Sequence, residues 1–170
     1  MNQEEIERRA RRLLAGAGIE GPPVDIEKVA QSLRIKIELS DLGEDCSGIL
    51  VRKGERAVIG VNWNHHRNRQ RFSIAHELAH YELHEGDTYV DARYRVNFRD
   101  LESGSGTKTE EVQANAFAAA LLMPASWMKP EFKDRPFDLA DDGKDLQALA
   151  EKFQVSTQAM AFRLANLRIV

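Results

Sequence analysis

The stretch RQRFSIAHELAHYELH, Arg69 to His84, carries three of the five histidines in the chain. Apolar Phe72, Ala75, Leu78 and Ala79 recur within it at helical spacing, so a helix is expected between Arg67 and Leu83, with Gly86 placed to end it. Each helical residue advances about 100°, which stacks His76 and His80 about 40° apart around the axis and about 6 Å along it. Two imidazoles so placed can grip one cation. Glu77 falls on the flank of the same face, where it reaches a water on the metal while staying outside the ligand set. His84 continues the series but stands about 12 Å from His76 along the axis, too far for the same ion. It is expected to cap the helix or pack locally.

A third ligand must come from another element. The best helical candidates are Glu110 and Glu111 in EEVQANAFAAALLM, Glu110 to Met123, an apolar helix stopped by Pro124. Glu111 is the choice: Ala114 is small enough for this helix to approach the first, and Asn115, one turn on, shares the Glu111 face and can orient His76 or His80. Glu110 points about 100° away, toward solvent. Two neutral imidazoles and a carboxylate suit one zinc ion with an open fourth position, whose charge lowers the pKa of bound water. Glu77 is then the general base and later the acid of peptide-bond hydrolysis. For a developing oxyanion, Tyr81, Tyr89, Tyr94 and His84 all remain open, since no spacing rule chooses among them.

Working outward, Ile6, Ala10, Leu13, Leu14 and Ala17 mark a first helix, ended by GIEGPP. Asp25 is the expected N-cap of a second, with Ile26, Val29, Ala30 and Leu33 as its apolar stripe. IKIEL, SGILV and AVIGV read as a small antiparallel sheet, the last two strands joined through the turn glycine of RKGER. The strand Ala57 to Val61 is a candidate edge for an extended substrate. Asp87 to Thr109 shows no period and ends in SGSGT, a loop composition without the strand and lysine of a phosphate cradle. PASWMKPEFKDRPFDLADDG reads as a linker.

With 170 residues, 42% of them hydrophobic, the chain supports one core or a core plus a small module. A formal net charge of −3 supplies no general attraction to nucleic acid or anionic membrane. Cys46 is the only cysteine, which excludes an internal disulfide and a thiolate metal site and favours a cytoplasmic location. No segment reads as a leader or a membrane span.

RQRFSIAHELAHYELH followed by EEVQANAFAAALLMP resembles the ImmA/IrrE family of bacterial and phage metallopeptidases, and the likeness extends through GPPVDIEKVAQSLRIKI, GILVRKGERAVIGVNWN and the tail. The resemblance implies zinc on His76, His80 and Glu111, with Glu77 catalytic. It also implies regulatory cleavage of a helix-turn-helix repressor that releases a mobile-element or stress-response programme. Ala79 stands where the family often has glycine, a change that favours helicity. The chain ends at Val170, so a short form without a C-terminal sensor domain is expected.

The expected fold is thus α+β: a zincin-like domain over residues 1–125, a small antiparallel sheet packed on helices, and a linker with a helix-turn-helix-like module over 126–170. That tail, Leu146 to Phe153 and a second helix capped by Ser156, offers only Gln158, Arg163 and Arg168 as groove-reaching side chains. Docking on the body or on a repressor is therefore expected ahead of direct DNA binding. Arg8, Arg9, Arg11 and Arg12 alternate with Glu4, Glu5 and Glu7, which suggests pairing within the first helix. The rival class is a non-enzymatic regulator, an antitoxin or transcription factor with a structural or vestigial zinc site.

Overall fold

The structure is a computed structural model that describes residues 1–85, 88–92, 106–132 and 143–169. It is an α+β fold whose described elements run in the order α1 (Gln3–Gly16), α2 (Ile26–Ser32), β1 (Lys36–Ser40), β2 (Cys46–Lys53), β3 (Arg56–Asn62), α3 (Arg67–Leu83), β4 (Thr88–Ala92), α4 (Gly106–Leu122), α5 (Ala125–Met128), a 3-10 turn (Lys129–Phe132), α6 (Lys144–Phe153) and α7 (Thr157–Asn166).

Local chemistry sets most boundaries. Asn2, Asp25 and Ser156 cap α1, α2 and α7, each side chain accepting a backbone N–H of the first turn. The β2–β3 hairpin turns through Gly54 at φ 60°, a conformation natural to glycine, with Lys53 paired to Arg56. Two parts of the expected loop sequence are helical: α4 begins at Gly106, inside SGSGT, and α5 occupies the start of the expected linker, where Met128 is fully buried.

The sheet departs from the sequence expectation in two ways. Its order is β1-β3-β2-β4, and β1 runs parallel to β3, so the sheet is mixed rather than antiparallel. Strand β4 arises from a segment without periodicity and takes the free side of β2, leaving β1 only the outer side of β3. Asn62 holds the crossing loop: its buried amide donates to the carbonyls of Gly43 (2.6 Å) and Cys46 (2.8 Å). Since β3 is flanked on both sides, it offers no edge for an added strand, which corrects the reading of Ala57 to Val61.

Helix α3 is the middle layer. Every residue from Ser73 to His80 is buried, with α4 on one side and strands β2 and β3 on another. A helix buried all round must place its polar groups where partners exist, because unpaired buried polar atoms are costly. Ala75, Ala79 and Ala114 are fully buried, and their small side chains permit the close approach of α3 and α4. Leu149, Ala150, Phe153, Val155, Met160 and Leu164 of the tail join the same apolar cluster as the body.

Candidate metal centre

Helix α3 is fixed at both ends. His66 caps its start, Nδ1 accepting the Asn68 N–H at 3.2 Å. At the other end Arg52 of β2 donates to the carbonyls of His80 (2.7 Å) and His84 (3.1 Å), with its guanidinium 4.8 Å from the centre of the Tyr81 ring. A cation against the last carbonyls of a helix complements the helix dipole, and here it shares the His80 carbonyl with the His84 N–H at 3.2 Å. This clamp on the turn that carries His80 was not anticipated from sequence.

The two histidines of α3 meet Glu111 of α4. Their Nε2 atoms lie 3.0 Å apart, His76 Nε2 is 3.2 Å from Glu111 Oε2, and His80 Nε2 is 3.2 Å from Glu111 Oε1. Among the described residues these three form a group that could hold a metal ion. The histidine side chains are 0% and 2% exposed, while that of Glu111 is 47% exposed, so the centre opens to solvent on the α4 side. Glu110, the alternative, is not in the group; its carbonyl instead bonds His84 Nε2 at 3.2 Å. His84 is also the C-cap residue of α3, as expected, and burial lowers its basicity.

Asn115 sits 3.0 Å from His76 Nδ1, its carbonyl oxygen facing the ring. The Nδ1–H therefore donates, and the His76 Nε2 lone pair points at the carboxylate of Glu111. A lone pair facing a carboxylate is repulsive unless a cation lies between them. Donor atoms around tetrahedral zinc, bonded at about 2.0–2.1 Å, stand roughly 3.3 Å apart, so the observed spacings of 3.0–3.2 Å fit such an ion. Asn115→Ala should weaken metal affinity about 10- to 100-fold by releasing the His76 tautomer, readable by competition with a chromogenic chelator.

Glu77 is fully buried outside this donor set, against β2 at Gly48. Among the oxyanion candidates, Tyr81 is engaged by Arg52 and His84 by Glu110. Tyr89 lies on β4 with its side chain outside the described residues, as does all of Tyr94.

The tail requires a correction. Arg163 does not reach outward: it is 3% exposed, donates Nε–H to the Met123 carbonyl at 2.9 Å and pairs with Glu7 of α1. The face of α7 bearing Met160 and Leu164 must turn inward, and Arg163 turns with it. Arg71 and Asn68 of α3 further bond the Gln154 and Val155 carbonyls between α6 and α7, at 3.1 and 3.0 Å. Gln158 and Arg168 stay exposed. On α1, Glu5 pairs with Arg8 and Arg9 as expected, whereas Glu7 serves Arg163.

Residues 30–165 match the peptidase M78 family, described as the IrrE N-terminal-like domain. The chain belongs to this family. The ImmA/IrrE resemblance of the HELAH and EEVQAN segments is thereby borne out. The fold of this M78 member is also similar to a solved structure titled Mycobacterium tuberculosis transcriptional regulator, with a TM-score of 0.64 at 17% identity. That likeness covers 95% of this chain and 46% of the other, so this chain spans about half the length of that protein. No curated protein matches the sequence.

Proposed function

We propose that the chain is a zinc-dependent endopeptidase whose substrate is a helix-turn-helix transcriptional repressor. The observation that carries this reading is the convergence of His76, His80 and Glu111 within 4.8 Å beside a fully buried Glu77. Zinc held by these three would supply Lewis-acid activation of water. Glu77, next to His76 in the chain, accepts the proton from the attacking water and delivers it to the leaving amine. The carboxylate of Glu111 and the two imidazoles, one oriented by Asn115, serve as ligands and take no proton in this scheme.

The α+β frame is read as zincin-like, and the α6–α7 pair as a helix-turn-helix-like module that docks on the body. Burial of Arg163 supports docking over DNA reading, because it removes one of the few cations that α7 could offer a duplex. No described helix is long and apolar enough to cross a membrane, and the proposed site of action is the cytoplasm. The transcriptional-regulator title of the similar structure supports a role in transcription control, and it is the observation that favours the second reading, a regulator without hydrolysis.

The test is incubation of the zinc-loaded protein with candidate helix-turn-helix repressors, with fragments mapped by mass spectrometry. A single chelator-sensitive cut is expected. Full regulatory output with the repressor intact would favour the non-enzymatic reading.

A further inference from the structure

Gly48 lies in β2, which packs on α3, and is buried. Its φ is not in the left-handed region, so the backbone there would accept any L residue. What forbids a side chain is space. A Cβ at this position would stand 2.9 Å from Glu77 Oε1, 3.3 Å from Cγ and 3.5 Å from Cδ, and these three atoms, all of Glu77, are its nearest neighbours. A glycine inside a strand weakens the strand and is expected where another group approaches closely. The pairing of β2 with β4 also shifts register between Cys46 and Gly48, an irregularity of the kind that re-aims a strand beside a site.

We propose that Gly48 is a positioning residue for Glu77: the bare backbone of β2 is the wall against which the carboxylate lies, and only the absence of a Cβ lets it lie there. The catalytic consequence rests on the peptidase reading above; the steric coupling does not. A methyl at position 48 would push the carboxylate off this wall, its three nearest atoms all belonging to Glu77 rather than to His76, His80 or Glu111. Displacing a catalytic group by about 1 Å can cost about 100-fold in rate.

The experiment is a double-mutant cycle of Gly48→Ala and Glu77→Ala, read by thermal unfolding and metal content. Gly48→Ala alone should lower Tm by roughly 3–10 °C through overpacking. In the Glu77→Ala background, which removes the clashing Oε1 together with Cγ and Cδ, the same change should lower it by less than about 1 °C, since the clash is gone. All four proteins should retain the metal. An equal Tm loss in both backgrounds, or a double variant that fails to fold, overturns the proposal.

Activity supplies a second arm. Gly48→Ala should lower kcat about 100-fold with KM near that of the unmodified protein. Gly60→Ala is the control: its Cβ would stand 2.7 Å from Ile49 Cγ2, so it crowds the same sheet away from Glu77 and should lower Tm while sparing kcat. Equal kcat losses in the two variants would contradict a specific hold on Glu77. If the unmodified protein cleaves nothing, the peptidase reading fails, and the stability cycle still decides whether Gly48 and Glu77 are coupled.

Discussion

Glu77→Gln should keep the metal, fold at least as stably and lose about 10²- to 10⁴-fold in hydrolysis, the range that general acid–base catalysis supplies. The amide has nearly the shape of the carboxylate and cannot take a proton from water at neutral pH. Metal content should persist because the donor group is His76, His80 and Glu111 alone. Stability should not fall, because the amide fills the same buried volume as the carboxylate. Thermal unfolding, metal analysis and cleavage of the repressor by one preparation give the three readings. A variant that cleaves at the original rate would remove Glu77 from the chemistry.

Arg163→Ala should be the most damaging substitution outside the centre, costing about 3–5 kcal/mol, or roughly 10 °C in Tm for a chain of this size. Two losses combine. Glu7, whose side chain is 13% exposed, keeps a buried charge without its guanidinium, and the Met123 carbonyl loses its donor just where α4 ends. This pair ties α7 to α1 across 156 residues, so its loss should free the tail before the body melts. Arg168→Ala, at an exposed position on the same tail, should change Tm by less than about 1 °C. Equal effects of the two variants, by thermal unfolding, would show that the buried pair is not what anchors the tail.

The centre was legible in the sequence because each half of it is local. His76 and His80 are one turn apart, and Glu111 and Asn115 are one turn apart, so helical geometry alone puts each pair on a face. Joining the halves needed only the small residues that let two helices approach. The first three strands and the hairpin turn were legible for the same reason. The partner of β1 was not, because β4, whose segment carries no alternation, occupies the far side of β2 and leaves β1 beside β3, to which it runs parallel.

Contacts between distant segments left no periodic trace. Arg52 clamps a turn 28 residues away, and Arg163 reads by itself as a surface cation until Glu7 is placed beside it. Gly48 did leave a signal, a lone glycine within a β-type run, but what approaches it could not be named until α3 was packed on β2. Where the sequence suggested outward-facing cations on α7, the apolar neighbours of Arg163 on the same helix decided its direction instead.

The central claim is a divalent ion shared by α3 and α4, and the direct measurement is the metal content and zinc affinity of the purified protein beside its ligand variants. The unmodified chain should take up a single equivalent of zinc, His76→Ala and Glu111→Ala should lose most of that affinity, and Glu110→Ala should keep it. Failure of the unmodified protein to bind a divalent ion, or a Glu111→Ala variant that binds zinc as tightly as the parent, would contradict the account.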